Sequence, residues 1–332
     1  DGTPYNPQNF KGEWKGPVLV WQALASSMNV PSVKVLQTIG FDAAIQRAAA
    51  LLGITDPLEI RKTFPRYYPL ALGVIGVTPL QMAKAFAVFA NGGTAVEPLA
   101  IRYVEDRKGN VIAEPEKDML KALSRRQRRI ISPQNAAIMI DMLRRVVSAG
   151  TLAGATQSGA LFRQTGPDGK TYTLPVAGKT GTTQNWADAW TVGSSPYYTT
   201  AIWLGFDRAG NSLGVSQTGA TVAAPIWSNY MRDIHLGLPM KQFPRPEGGV
   251  VSVTVCAKSG QLPTALCNEG TVNLLYLEGT QPTEPCTYHA PVVEQQPSSQ
   301  DTASTGGTVQ HPLSIEGDQN PPASRFVPGQ DR

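Results

Sequence analysis

The run Ala177-Gly178-Lys179-Thr180-Gly181-Thr182 places a cation, two hydroxyls and a residue without a side chain in a stretch with the character of a β-strand. Residues two apart in a strand share a face, so the hydroxyls of Thr180 and Thr182 point together and suit a carboxylate. Gly181 between them lets the backbone of a ligand approach closely. Lys179 points the other way in an ideal strand and has to reach around an edge to act at the same place. An edge strand also leaves N–H groups free, and one of these suits a developing oxyanion. A second polar cluster, Ser27-Met28-Asn29, ends an apolar helical stretch. Its hydroxyl can relay a proton, and its amide can both donate to and accept from a peptide. Each cluster alone also has a plain reading, the first as an exposed hairpin and the second as an ordinary helix end.

Other chemistries find little support. The chain has three histidines (His235, His289 and His311) and three cysteines (Cys256, Cys267 and Cys286). The cysteine spacing matches no familiar metal set, so no metal and no cofactor is expected, and the thiols read as structural or incidental. One disulfide with a thiol left over, or none, both fit three cysteines. The histidines sit late and scattered, which disfavours a Ser-His-Asp hydrolase. The net charge of +4 over 332 residues is mild and dispersed, which argues against nucleic-acid binding. The one basic cluster, Arg125, Arg126, Arg128 and Arg129, reads as a solvated helix start or loop. No run approaches 18 apolar residues, and no signal peptide stands at the start. The chain opens Asp1-Gly2-Thr3 without an initiator methionine and reads as a piece of something longer.

The elements that must bring the two clusters together can be read along the chain. A helix is expected within 17–28 and is interrupted at "SSMNVPS", where Pro31 sets a boundary near Asn29. Two short helices follow, ending near Gly40 and Gly53. Thr78-Pro79 and Ser132-Pro133 are N-cap and N1 pairs that open two further helices. A hairpin turns at Lys108-Gly109-Asn110. The runs "LPVAGKTGTT", "DAWTVGSS" and "YTTAIWLGF" form an antiparallel meander, and a helix over 224–236 closes the unit. Within these strands, Trp190 and Trp203 read as core residues, whereas Trp186, in the loop after the lysine strand, is the better contact for a ligand. Asp188 reads as the partner of a local cation. The order is helices first and antiparallel sheet later, an α+β class. A small β-rich extension covers 238–289. From 290 to 332 the chain is poor in apolar residues and rich in Gln, Ser, Pro, Gly and Thr, so disorder is expected there.

K-T-G combined with S-x-N is two-thirds of the set used by penicillin-binding proteins and class A β-lactamases. The stretches "YNPQNFKGEWKGPVLVWQALASSMNVPSV", "GVTPLQMAKAFAVFANGG", "MLRRVVSAGTLAGA", "AGKTGTTQNWADAWTVG" and "IWLGFD" resemble, in the same order, high-molecular-weight class A penicillin-binding proteins. The resemblance covers roughly 4–236, and "GQLPTALC" extends it toward His289. It implies a transpeptidase domain over 1–237 acting in peptidoglycan synthesis. In such an enzyme a serine attacks the D-Ala-D-Ala carbonyl of a stem peptide, D-Ala leaves, and a second stem's amine resolves the acyl-enzyme. β-Lactams imitate the substrate. Carried over by motif, Ser27 assists proton transfer and Asn29 bonds the substrate amide. Lys179 supplies positive potential. Thr180 and Thr182 hold the terminal carboxylate beside Gly181, and the Thr182 N–H serves the oxyanion. The resemblance also implies a preceding glycosyltransferase domain, a membrane anchor and an extracytoplasmic place in the cell envelope.

The family's nucleophile lies in S-x-x-K, where serine and lysine share one helical face. No lysine of this chain has a serine three residues before it. The chain alone is therefore expected neither to acylate nor to cross-link. A fold without the helix that carries this motif is expected to lose several kcal/mol of packing. Two other readings stand beside the leading one. A serine β-lactamase would need a deacylating glutamate and a compact chain, against which the extension argues. A non-catalytic relic would bind wall peptides weakly. The upstream coding sequence separates it from the enzyme, because an in-frame S-x-x-K restores the active reading and a stop codon supports the relic.

Overall fold

The structure, a computed structural model, describes residues 5–125, 128–208 and 210–289. Four helices come first: α1 (Val20–Ala25), α2 (Asn29–Leu52), α3 (Pro57–Thr63) and α4 (Pro79–Ala90). A short hairpin, β1 (Val104–Glu105) and β2 (Val111–Ala113), leads to α5 (Pro115–Arg125), α6 (Pro133–Ala149) and α7 (Ala153–Thr156). A second hairpin pairs β3 (Arg163–Thr165) with β4 (Thr171–Thr173). The meander then runs through β5 (Ala177–Thr182), β6 (Ala189–Ser194) and β7 (Thr199–Leu204), in that spatial order, before α8 (Ala224–Asp233). A last hairpin joins β8 (Val250–Cys256) to β9 (Thr271–Leu277). All strand pairs among the described residues are antiparallel, as the α+β reading requires.

Local chemistry accounts for the helix ends. The Thr78 hydroxyl accepts from the Gln81 N–H, and the Gln81 side chain accepts from the Thr78 N–H, a reciprocal cap at the start of α4. The Ser132 hydroxyl likewise accepts from Asn135 N–H at the start of α6. As expected, α2 is two short helical segments that meet at Gly40, whose backbone is not helical (φ 78°, ψ 160°), and the second ends at Gly53 in the left-handed region. The boundary expected near Asn29 stands between α1 and α2, although Pro31 leaves Val30 in helical geometry. Pro31 stands in the first turn of α2, where a backbone donor would have no intrahelical partner. α5 and the β3–β4 hairpin were not foreseen; α5 carries its apolar residues among many charges, and β3 and β4 are three residues each.

The main core forms around α6. Ala136, Ile140, Leu143 and Val147 recur at helical spacing and are buried, together with Val146. Ile140, Leu143, Val146 and Val147 pack with Leu152, Leu174, Val176 and Ala177 and with Trp227 and Met231 of α8. Each fully buried side chain of this size contributes about 1.5–3 kcal/mol. Gly193 of β6 permits the close approach of α8, since a Cβ there would stand 2.4 Å from the Trp227 ring. A second cluster, Ile45, Ala49, Leu52, Ile54, Phe64 and Ala85, joins α2 to α4. No helix among the described residues is long and apolar enough to cross a membrane. The tail from 290, read above as disordered, lies outside the described residues.

Candidate active site

The end of α1 presents Ser27. The Ser27 N–H donates to the Leu24 carbonyl (3.1 Å) and the Met28 N–H to the Ala23 carbonyl (2.9 Å), the paired bonds of a Schellman ending. The position after the cap in such an ending adopts left-handed backbone and is usually glycine. Here it is Ser27, at φ 54°. The cost of a side chain at this conformation is about 1 kcal/mol. α2 then begins at Asn29, and the segment before α1 holds this turn in place. Asn9, itself buried, accepts from the Val30 N–H through its side chain (3.1 Å). The Asn29 side-chain amide donates to the Gln8 carbonyl at 2.8 Å.

Opposite this turn lies β5. It is an edge of its sheet, paired on one side with β6. The Lys179 ammonium reaches around that edge. It donates to the Ser27 hydroxyl at 2.7 Å and to the Thr180 carbonyl at 2.9 Å. Residues 152 positions apart in sequence thus share one hydrogen bond. No carboxylate pairs with Lys179 among the described residues, and burial pushes its pKa down from 10.5 to about 8. At neutral pH most of the population remains charged. A cation donating to the Ser27 oxygen makes the serine's own proton easier to give away. Ser27 can therefore donate outward while Lys179 holds it from behind.

The threonines differ from one another. The Thr182 side chain is exposed, and its oxygen accepts from the Gly219 N–H at 3.0 Å, which leaves the hydroxyl proton free to donate to a ligand. Thr180 is buried and its hydroxyl lies 2.6 Å from that of Thr151, in the turn after α6. Thr180 thus ties β5 to α6 as well as flanking Gly181. Gly181 is half-buried, and Gly219 fits against it so closely that a Cβ on Gly219 would stand 2.4 Å from the Gly181 carbonyl. Trp186, also half-buried, follows the strand with left-handed backbone (φ 53°). The structure therefore joins Ser27 directly to Lys179, with Thr180, Gly181 and Thr182 following on the same strand. The donor of the Asn29 amide is turned to Gln8.

One reading of a polar residue needs correction. Among the described residues Asp188 pairs with no cation. Its carboxylate accepts from the Trp203 indole N–H (2.8 Å) and from the Thr183 hydroxyl (3.0 Å), fixing the β5–β6 turn against β7. The run Gly210-Asn211-Ser212-Leu213-Gly214 has the spacing of a nucleophile elbow, but it lies in the loop after β7, and the Ser212 hydroxyl donates to the Asn185 carbonyl at 2.5 Å. Thr151, Gly219 and Asn9 were missed. Each acts through the fold, from a segment remote in sequence, and none has a local signature.

A family model for the penicillin binding protein transpeptidase domain matches residues 1–232. The chain belongs to that family. A model for the C-terminal domain of penicillin-binding protein 1A matches residues 246–291. Penicillin-binding protein 1A of Clostridium botulinum is 36% identical over 290 residues, covering 85% of this chain and 32% of the relative. That of Aquifex aeolicus is 35% identical over 286 residues, covering 86% and 35%. The chain spans about a third of the length of these relatives. Among solved structures, penicillin-binding protein 1A from Haemophilus influenzae superposes with a TM-score of 0.70 at 25% identity, over 86% of this chain and 44% of that one. PonA1 of Mycobacterium tuberculosis, solved in complex with penicillin V, shares the fold at TM-score 0.54 and 22% identity, over 73% of this chain and 62% of that one. In this transpeptidase family member, the Ser27–Lys179 contact joins the two polar clusters that the sequence separates.

Proposed function

We propose that Ser27, Asn29, Lys179, Thr180, Gly181 and Thr182 form one wall of a D,D-transpeptidase cleft that binds the D-Ala-D-Ala end of peptidoglycan stem peptides and, in their place, β-lactams. The observation that carries this reading is the 2.7 Å contact from the Lys179 ammonium to the Ser27 hydroxyl. Together with the free Thr182 hydroxyl proton it gives the cleft positive potential and a proton donor. The carboxylate of the substrate lies against Thr182 and Lys179. The Thr182 N–H faces the oxyanion, and Ser27 passes a proton toward the departing amine. Asn29 turns from Gln8 to the substrate amide on binding, and Trp186 borders the cleft. The acyl-forming serine belongs to an S-x-x-K helix that the 332 residues do not include. This chain by itself thus binds without forming an acyl-enzyme, and the active protein is a longer one, anchored in the cell envelope on its extracytoplasmic side and carrying a glycosyltransferase domain.

Fluorescent penicillin tests this. The 332-residue chain is expected to remain unlabelled. A longer form carrying S-x-x-K is expected to label, and Lys179→Met in that form to slow acylation by about 100-fold, the scale of losing one preorganised donor. Covalent labelling of the 332-residue chain, or a longer form indifferent to Lys179→Met, overturns the proposal.

A further inference from the structure

The β8–β9 hairpin ends in a cluster that transpeptidation does not use. Cys256 closes β8, Cys267 lies in the following turn, and Cys286 and His289 come from the segment after β9. Backbone bonds fold these pieces together. The Cys256 N–H donates to the Gln261 carbonyl and the Cys286 N–H to the Leu262 carbonyl, both at 2.8 Å. The three sulfurs and a nitrogen of His289 all lie within 4.8 Å of one another. His289 Nδ1 is 3.5 Å from the Cys256 sulfur and 3.4 Å from that of Cys286. A tetrahedral zinc ion bound by thiolate and imidazole spaces its ligand atoms about 3.5–3.8 Å apart, from metal–ligand lengths of about 2.3 and 2.0 Å.

The surroundings are those of a metal-binding knuckle. The Thr264 N–H points at the Cys267 sulfur (3.3 Å) and the Ser259 hydroxyl at that of Cys286 (3.1 Å), so donors already offset negative charge on sulfur. The other ring nitrogen of His289 is buried without a hydrogen bond and faces the Glu269 carboxylate at 3.6 Å. A carboxylate behind the ligating imidazole is the usual means of fixing its orientation. All three cysteines are free thiols. A disulfide would use two of them and leave both the third and the imidazole at the same point unexplained.

We propose that Cys256, Cys267, Cys286 and His289 bind one zinc ion as a closed structural site. Four protein ligands leave no open position, so the ion staples rather than catalyses. A segment of roughly fifty residues has too small a core to hold its loops by burial alone. The stapled loop also touches the transpeptidase unit. The Gln22 side chain donates to the Ala257 carbonyl (3.2 Å), and Gly260 packs on Leu19, at the start of the helix that ends in Ser27. Binding releases the thiol protons, so affinity rises with pH.

The test is metal analysis of the full chain purified without chelator, followed by exchange into cobalt(II). One zinc per chain is expected, with a cobalt spectrum showing thiolate charge transfer and the d–d bands of a tetrahedral site. Cys267→Ser is expected to weaken zinc by at least about 100-fold, and Glu269→Gln, which keeps all four ligands, by about 10-fold. A metal-free chain overturns the proposal, whether its three thiols alkylate freely or its mass falls by two hydrogens with a disulfide formed. Because the wild-type cobalt spectrum decides the matter, a variant that fails to fold does not obscure it.

Discussion

Lys179 is a half-buried cation without a carboxylate partner among the described residues, and its proton should be measurable as folding stability. Burial lowers its pKa from 10.5 to about 8. At 1.36 kcal/mol per pH unit, that fall corresponds to about 3 kcal/mol, and because the side chain keeps some contact with solvent the effect should lie at about 1–3 kcal/mol. The sign follows from proton counting. Below pH 8 both folded and unfolded chains hold the proton, and the folded state bears the full cost of burying the charge. Between pH 8 and 10.5 the unfolded chain still holds a proton that the folded chain has released, so stability rises with pH across that window. Lys179→Met removes the titration while retaining most of the volume. Urea midpoints measured at pH 7, 8, 9 and 10 for both proteins should show wild type gaining on the variant from pH 8 upward. A difference that stays constant, or that shrinks as pH rises, would refute a desolvated ammonium with no carboxylate beside it. Competitive acylation of lysines across the same range would report the titration midpoint directly.

Three further outcomes are expected. Ser27→Gly relieves the left-handed strain of the Schellman position and should hold or raise stability by about 0.5–1 kcal/mol in thermal unfolding, while β-lactam acylation of the longer form declines because Lys179 loses its hydroxyl partner. Thr180→Val leaves the Thr151 hydroxyl without its buried partner and should cost about 1–3 kcal/mol in urea unfolding, with the Thr151→Val, Thr180→Val double variant recovering part of the loss. His235 is buried between the Ser195 hydroxyl (2.7 Å) and the Met231 carbonyl, and burial holds its pKa below the usual histidine range, with the Met231 carbonyl opposing. Stability should therefore fall as pH drops below about 6.5, where the unfolded chain gains a proton first. A thermal midpoint that His235→Gln leaves equally sensitive between pH 7.5 and 5.5 would contradict this.

The sequence made the helix starts and the meander legible because their signals are local. Thr78-Pro79 and Ser132-Pro133 are caps whose bonds span three residues, and the β5–β7 runs alternate with turns between them. The need for Lys179 to round a strand edge was also readable, since alternation sends it away from Thr180 and Thr182. The contact with Ser27 was not readable, because only α6 and its turn bring the end of α1 against β5. The Thr180–Thr151 pair and the Gly219 approach were hidden for the same reason. The gathering of the three cysteines with His289 was not readable either, because their spacing in sequence is irregular. Cys286 and His289, three apart, were the one local hint, and the hairpin supplies the other two sulfurs.

The open rim of β5 has a consequence apart from chemistry. A strand at the edge of a sheet is a template onto which another polypeptide can zip, the first step toward insoluble assemblies. A charge lodged against that rim is a deterrent to such stacking. Neutralising Lys179 should therefore make concentrated solutions of this protein cloud sooner, even under conditions where each molecule on its own is the more stable form.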